Sequence, residues 1–145
     1  MEIIVGFGIL IFIGSCIAFL HHRRMRSIAL GRKDSDICRY ARSFDYRNVD
    51  TKIMREVYNH VQEWAGKYEG VPFPVEADDC FKETYKMHPD DLDDIYLEIA
   101  QKLGISTENP ELNPYWNKVT SVKSLVLFLQ NQPRVNDSQV AKAFV

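Results

Sequence analysis

The first hydrophobic segment of the chain is uninterrupted by charge and predicts a membrane-spanning helix. Residues Ile3 to Leu20 contain no charged side chain, and a helix of this length would extend about 27 Å, close to the thickness of the hydrocarbon core of a bilayer. Met1-Glu2 supplies no basic residue, and no convincing small-x-small cleavage site follows the segment. The pattern therefore favours an uncleaved anchor over residues 1–20 rather than a cleavable signal peptide.

After the first third of the chain, apolar residues recur every three or four positions, which is typical of helices with one buried face. The first of these helices begins near Asp50 or Thr51, either of which can cap it. Its predicted core face consists of Ile53, Val57, Val61, Trp64 and Tyr68. The last helix begins at Thr120 or Ser121 and ends before Pro133. Its apolar residues are Val122, Leu125, Val126, Phe128 and Leu129.

Between these two helices, the pattern predicts an acidic amphipathic helix from about Asp91 to Leu103. Asp90 is the expected N-cap, and Pro89 disfavours helix upstream of it. Gly104 can adopt the left-handed conformation that ends a helix. The apolar stripe consists of Leu92, Ile95, Ile99 and Leu103. The carboxylates of the segment therefore lie on the other faces.

The connections between the helices are interrupted by prolines and predict loops rather than strands. A long loop runs from Glu69 to Pro89. The apolar residues expected to point inward from it are Phe73, Val75 and Phe81. The next connection contains two prolines, so only a short helix fits there, over about 111–117 with Trp116 as its anchor. Strand signals are poor throughout, and the predicted fold class is all-α.

Two short motifs in this region resemble those of the acyl carrier proteins. Residues 90–92, Asp-Asp-Leu, open the acidic helix where that family has Asp-Ser-Leu at the start of its second helix. Residues 119–122, Val-Thr-Ser-Val, open the last helix where the family has a hydrophobic residue followed by Thr-Thr/Ser-Val. The resemblance covers residues 50–132. It implies that a single N-terminal transmembrane helix is followed by an acyl-carrier-like four-helix bundle.

The residue at the attachment position departs from the family. Acyl carrier proteins attach phosphopantetheine to the serine of Asp-Ser-Leu, whereas this chain has Asp91 at that position, and a carboxylate cannot form the same phosphodiester. No serine occurs between Ser43 and Ser106. The resemblance therefore implies a carrier-like domain without a covalently attached cofactor.

The charges are distributed unevenly along the chain, although the net charge is only -2. Residues 21–49 hold eight Lys and Arg against three Asp and Glu, whereas residues 50–132 hold eight against fifteen. The basic residues nearest the apolar segment are Arg23, Arg24, Arg26, Arg32 and Lys33. They predict an N-terminus outside and a cytoplasmic domain, and they can also bind anionic head groups, although a role in topology alone explains them equally well. Residues 34–48 mix charged and aromatic side chains, and they either continue the membrane helix or fold back onto the domain. We treat all of residues 21–49 as a basic juxtamembrane linker and predict a flexible tail over residues 133–145.

The remaining polar residues form no convincing catalytic or metal-binding pattern. His21 and His22 are adjacent, so they point in different directions on a helix. A divalent site of His88, Asp90 and Asp94 is the strongest metal candidate, but carboxylates at a helix start are more simply explained by the helix dipole. The acidic domain also disfavours nucleic acid. We therefore expect no enzyme activity, no metal, no cofactor and no nucleic-acid partner.

A recognition surface is the remaining functional candidate. The resemblance implies that the acidic helix docks on a basic surface of a partner protein. The expected contact residues are Asp90, Asp91, Asp93, Asp94 and Glu98. The hypothesis is a membrane-tethered, non-acylated adaptor in a bacterial-type inner membrane. An ordinary solvated helix face explains the carboxylates about equally well, and the uneven charge distribution favours binding. Two other functions stay open: a small structural subunit held in a membrane assembly by its transmembrane helix, and a noncovalent binder of a lipid or acyl chain.

Overall fold

The structure, a computed structural model, describes residues 2–32, 34–45 and 47–135, with side chains described from residue 6 onward. The chain forms two compact units, Met1–Asp34 and Ser35–Val145. Most of the described residues are helical, which confirms the prediction of a mainly helical chain. Lys33 and residues 136–145, the larger part of the predicted tail, lie outside the described residues.

The first unit contains one long helix, α1, which spans Glu2–Gly31. Within the described residues, α1 is the one helix long and apolar enough to cross a membrane, and a signal sequence near the N-terminus would meet the same criterion. Its side chains from Phe7 to Leu20 are exposed. The helix is 30 residues long, about 45 Å, so it continues well beyond the predicted anchor of residues 1–20.

The second unit begins with a short helix inside the predicted linker. This helix, α2, spans Ile37–Arg42 and is capped by Asp36, whose Oδ1 accepts a hydrogen bond from the backbone N–H of Arg39 at 2.8 Å. Tyr40 and Phe44 are buried in the unit. The linker predicted over residues 21–49 is therefore too long, because α1 occupies its first part and residues 35–49 belong to the folded unit.

The next helix, α3, spans Thr51–Ala65 and begins where the sequence predicts. Asp50 caps it by accepting a hydrogen bond from the backbone N–H of Lys52 at 2.8 Å. The buried residues of the predicted core face are Ile53, Val57 and Val61. Trp64, by contrast, is 36% exposed, and Tyr68 lies beyond the end of the helix.

A small β-hairpin follows α3 and corrects the prediction that the chain has no strands. Strands β1 (Lys67–Tyr68) and β2 (Val71–Pro72) pair antiparallel. Glu69 and Gly70 join them, and both have positive φ values, 54° and 80°. These are the values required by the two-residue turn that matches the twist of paired strands.

The long loop after the hairpin packs inward and contains a π-helical turn over Phe81–Tyr85. The residues predicted to point inward are all buried: Phe73, Val75 and Phe81. The loop also contacts the start of the last helix of the chain. The backbone N–H of Val122 donates to the carbonyl of Asp79 at 3.0 Å, and that of Lys123 donates to the carbonyl of Ala77 at 2.8 Å.

The acidic helix, α4, spans Pro89–Leu103 and ends at Gly104, whose φ of 62° is the predicted left-handed conformation. The prediction of Asp90 as N-cap is wrong, because His88 caps the helix. Pro89 occupies the first helical position, where its fixed φ suits the helix and its missing N–H is not needed. The buried residues of α4 are Ile95, Ile99 and Ala100.

A turn and one further helix complete the second unit. The helix predicted over residues 111–117 is replaced by a 3₁₀ turn over Pro110–Leu112, because the prolines leave too few backbone donors for a longer one. The last helix, α5, spans Val122–Gln130. Ser121 caps it, as predicted, by accepting a hydrogen bond from the backbone N–H of Ser124 at 3.3 Å.

The segment after α5 is held against the end of α4. The backbone N–H of Ser106 donates to the carbonyl of Pro133, and that of Val135 donates to the carbonyl of Gly104, both at 2.8 Å. Residues 133–135 are thus part of the fold rather than the start of a loose tail. The core of the unit lies where α3 packs against both α4 and α5.

Candidate protein-binding surface

The carboxylates predicted to bind a partner all lie on α4, but they face different surroundings. Asp90, Asp93, Asp94 and Glu98 are exposed. Asp91 is half-buried, and its Oδ2 accepts a hydrogen bond from the backbone N–H of His88 at 3.3 Å. Because this bond closes a reciprocal cap, in which the His88 ring accepts from the backbone of Asp90 at 3.3 Å, Asp91 serves the helix start. We call the four exposed carboxylates the acidic ridge.

The C-terminal half of α4 is tied to α3 by a chain of charged groups. Lys102 Nζ lies 2.7 Å from Glu56 Oε2, and His60 Nδ1 donates to the backbone carbonyl of Glu56 at 2.8 Å. The other ring nitrogen of His60 lies 3.7 Å from Glu98 Oε2. Glu98 therefore has a basic neighbour within the fold.

The two central carboxylates of the acidic ridge differ in this respect. Asp93 and Asp94 make no ion pair or hydrogen bond with another side chain in the described residues. Both carboxylates are exposed, so water satisfies them in the free protein. A cationic group of another molecule could therefore pair with Asp93 or Asp94 without breaking an ion pair or side-chain hydrogen bond of the described residues.

An apolar groove of about 650 Å³ runs beside the acidic ridge, between α4 on one side and α5 with the segment before it on the other. Its wall on α4 consists of Pro89, Leu92, Asp93, Tyr96 and Leu97. Its opposite wall consists of Pro110, Trp116, Asn117, Val119, Leu125 and Phe128. Leu97 is 49% exposed and Trp116 is 42% exposed, so large apolar surfaces remain open to solvent along it.

A second, shallower groove of about 220 Å³ lies on the other side of α4, against α3. It is lined by His60, Glu63, Trp64, Asp91, Asp94, Ile95 and Glu98. Most of these side chains are polar or charged, in contrast to those of the larger groove. The acidic ridge thus separates one apolar groove from one polar groove.

The hydroxyl of Tyr96 lies beneath the apolar groove without a hydrogen-bond partner. The Tyr96 ring packs against Phe128, with ring centres 5.4 Å apart, and its Oη is buried. A buried hydroxyl that makes no hydrogen bond costs about 1 to 3 kcal/mol of stability. The Tyr96 hydroxyl therefore lowers the stability of the folded chain at the wall of the groove.

Replacing Tyr96 with phenylalanine should stabilise the folded chain by about 1 kcal/mol, because it removes the unpaired hydroxyl and keeps the ring. Urea unfolding of the full chain in phospholipid nanodiscs, followed by tryptophan fluorescence, measures the change. Tyr58→Phe is the matched control, since its hydroxyl accepts a hydrogen bond from Gln62 Nε2 at 3.1 Å and its loss should destabilise the chain. A Tyr96→Phe chain that is less stable than the original would contradict this prediction.

The basic residues predicted for the membrane surface lie at the end of α1. Arg23, Arg24 and Arg26 are exposed, Arg32 is half-buried just after the helix, and Lys33 lies outside the described residues. The helix is continuous through these arginines, so the rise per residue of an α-helix gives their distance from Leu20 along the helix axis. Arg23 to Arg26 lie about 5 to 9 Å beyond Leu20 along the helix axis.

Other candidate chemistry finds little support in the geometry. In the described part of the chain, no group of three or more His, Cys, Asp or Glu side chains is placed to hold a metal ion. His88 Nδ1 lies 3.3 Å from Asp90 Oδ2, which is a contact within the helix start. Cys16 and Cys38 are exposed thiols, and Cys80 is half-buried.

The apolar groove was not predicted from the sequence, although some of its residues carry a signal. Leu97 lies off the apolar stripe of α4, on the face that holds the carboxylates, and a large apolar residue there is unexpected for a solvated face. For Trp116, the sequence predicts only that it anchors a short helix. The groove depends on how α4 and α5 are placed in space, which the spacing of residues does not give.

No protein-family model, no curated protein and no solved structure matches the chain. The resemblance to the acyl carrier proteins therefore stays a prediction.

Proposed function

We propose that the chain is a membrane-tethered adaptor that binds a basic surface of a partner protein through the acidic ridge. The observation that carries the proposal is the exposure of Asp93 and Asp94, which make no ion pair within the described residues, next to the exposed side chain of Leu97. Charges of one sign on an exposed helix increase the association rate with an oppositely charged surface and favour it over other surfaces.

The tether in this proposal is α1, kept as an uncleaved anchor. Its apolar part would cross a bacterial-type inner membrane, with the N-terminus outside and the second unit in the cytoplasm. Arg23, Arg24 and Arg26 would then lie at the depth of the head groups, where each contributes about 1 kcal/mol of attraction to an anionic surface. A tether of this kind restricts the adaptor to partners that work at the membrane.

The second unit in this proposal is a carrier-like domain that carries nothing covalently. The predicted helices that flank the two motifs are present as α3, α4 and α5, in the predicted order. Asp91, at the position of the family's modified serine, is engaged in capping α4. A side chain used in this way supports a structural role for the position instead of attachment of a prosthetic group.

Neutralising the acidic ridge should strongly reduce capture of the partner. The variant combines Asp90→Asn, Asp93→Asn, Asp94→Asn and Glu98→Gln, and it leaves Asp91 in place because Asp91 caps the helix. Tagged full-length chain is expressed in its native membrane, solubilised in mild detergent and purified at low salt, and the co-purifying proteins are quantified by mass spectrometry. We expect the partner to be reduced about tenfold or more, which corresponds to losing a few charge pairs of several tenths of a kcal/mol each.

The matched control removes the same amount of charge elsewhere on the second unit, through Asp78→Asn, Glu83→Gln, Glu108→Gln and Glu111→Gln, all exposed. Equal recovery of the same proteins by both variants would refute the proposal. A further exchange of residues 1–20 for an unrelated anchor separates it from the structural-subunit alternative. Retained capture after this exchange supports the adaptor, whereas lost capture indicates assembly through α1.

A further inference from the structure

The wall of the apolar groove on α4 is one continuous face of that helix. Its residues, Pro89, Leu92, Asp93, Tyr96 and Leu97, follow the spacing i, i+3, i+4, i+7 and i+8. They span about 12 Å along the helix axis, which is the length of two helical turns. A second helix laid along this wall would present its own side chains at the same spacing.

The charge at the edge of the groove limits what can bind in it. Asp93 is the one charged residue that lines the groove, and Asp90 and Asp94 are exposed on the same helix. An apolar trough with a carboxylate edge is complementary to a ligand with both apolar and cationic groups, and it disfavours a ligand with a carboxylate or phosphate. The groove and the acidic ridge therefore both favour a ligand that combines apolar and cationic groups.

We propose that the apolar groove binds an amphipathic helix of the partner protein, whose apolar face enters the groove while its lysines or arginines meet Asp93 and Asp90. This inference rests on the proposed function and identifies the part of the partner that is recognised. The apolar contacts supply most of the affinity, because Leu97 and Trp116 lose their exposed area on binding. The carboxylates set the direction in which the helix lies.

The chain contains two tryptophans, and this allows a direct test. Trp64→Phe leaves Trp116, in the groove, as the single reporter. The full-length variant is placed in nanodiscs of phosphatidylcholine, which has no net charge, and is titrated with a synthetic 15-residue peptide that carries leucines at helical spacing and lysines along one edge. We expect the Trp116 emission to shift to the blue and the shift to saturate. A peptide of the same composition with its leucines scrambled should give no shift.

Two exposed leucines provide matched variants for the same titration. Leu97 lines the apolar groove, whereas Leu112 is 81% exposed and lines a separate polar pocket. Leu97→Ser should raise the dissociation constant of the peptide several-fold, up to about tenfold, because the exposed half of Leu97 no longer becomes buried apolar surface on binding. Leu112→Ser should leave the dissociation constant unchanged. Equal effects of the two substitutions would overturn the proposal.

Other occupants of the groove would give different results. A saturating shift with decanoate, which displaces the peptide, would identify a lipid chain as the ligand and overturn the proposal. A shift that depends on protein concentration without peptide would identify a second copy of the chain.

Leu97→Ser leaves every carboxylate in place, so a loss of peptide binding tests the groove, whereas the neutralised acidic ridge tests the proposed function. If Leu97→Ser does not weaken peptide binding but neutralising the acidic ridge reduces partner capture, the groove proposal is wrong and the adaptor proposal is still supported.

Discussion

Replacing Asp79 with alanine is expected to lower the free energy of unfolding of the second unit by about 3 kcal/mol, although Asp79 touches neither groove of the candidate surface. The Asp79 side chain is 4% exposed, and its Oδ2 accepts two hydrogen bonds. One comes from the hydroxyl of Tyr85 at 2.8 Å and the other from the backbone N–H of Glu76 at 2.9 Å. Alanine would leave both donors without this acceptor.

The same loop also completes the start of α5. The first backbone N–H groups of a helix have no partner within it, and in α5 those of Val122 and Lys123 donate to the carbonyls of Asp79 and Ala77. The Asp79 side chain holds the loop in the conformation that presents these carbonyls. Loss of the side chain should therefore loosen α5, which forms one wall of the apolar groove.

Two related variants separate the causes of the effect. Asp79→Asn keeps one acceptor oxygen and should cost about 1 to 2 kcal/mol. Tyr85→Phe removes one donor, and its effect should overlap with that of Asp79→Ala in a double-mutant cycle, because both changes break the same hydrogen bond. Urea unfolding of the full chain in nanodiscs, read by the fluorescence of the two tryptophans, measures the original chain, the three single variants and the double variant. An Asp79→Ala chain as stable as the original would contradict the prediction.

Helices with a long apolar stripe were predicted well from the sequence. The spacing of apolar residues in α3, α4 and α5 was clear. Three helix termini were also recognisable: the starts of α3 at Asp50 and of α5 at Ser121, and the end of α4 at Gly104. In each case the end depends on a side chain or a backbone conformation that is local in sequence. The start of α4 was misplaced because a histidine is an uncommon N-cap, while an aspartate stood two residues later.

Short elements were missed, because they have too few residues to show a period. Strands β1 and β2 contain two residues each, and their Glu-Gly turn is not among the strong hairpin signals. The π-helical turn and the 3₁₀ turn are likewise fixed by tertiary contacts. The apolar groove belongs to the same class, because Trp116 and Leu97 are far apart in sequence and only the packing of α4 beside α5 brings them to one surface.

The short helix α2 is the clearest case of a folded element inside a segment predicted to be a linker, and it yields the second large effect. Tyr40→Ala should destabilise the second unit by about 3 to 5 kcal/mol, as removal of a buried aromatic ring does. The Tyr40 ring is 1% exposed, and its centre lies 5.0 Å from the ring centres of both Phe44 and Tyr58. Its hydroxyl donates to the carbonyl of Met54 at 3.1 Å, which fastens α2 to α3.

The control on the same helix is Ile37→Ala, because Ile37 is 37% exposed against 1% for Tyr40, and its loss should cost no more than about 1 to 1.5 kcal/mol. Equal and small effects of Ile37→Ala and Tyr40→Ala in nanodisc unfolding would mean that residues 35–49 form a linker after all. Tyr40→Phe keeps the ring and loses only the hydrogen bond, so it should cost about 1 kcal/mol at neutral pH.

Tyr40 should also make the second unit sensitive to alkali. Burial raises the pKa of Tyr40 well above its ordinary value, and the neighbouring Tyr58 raises it further. The folded chain then keeps this hydroxyl protonated while the unfolded chain ionises it above a pH of about 10, so the stability that it contributes is complete below that pH and declines above it. The unfolding free energy should therefore fall between pH 9 and pH 11 more steeply in the original chain than in Tyr40→Phe, by up to about 1.4 kcal/mol per pH unit above pH 10.

The pKa values of Tyr58 and Tyr68 are raised as well, mainly by burial, and both residues remain in Tyr40→Phe. A residual decline common to both chains is thus expected, whereas identical slopes would show that Tyr40 is not held in the buried position that joins α2 to α3.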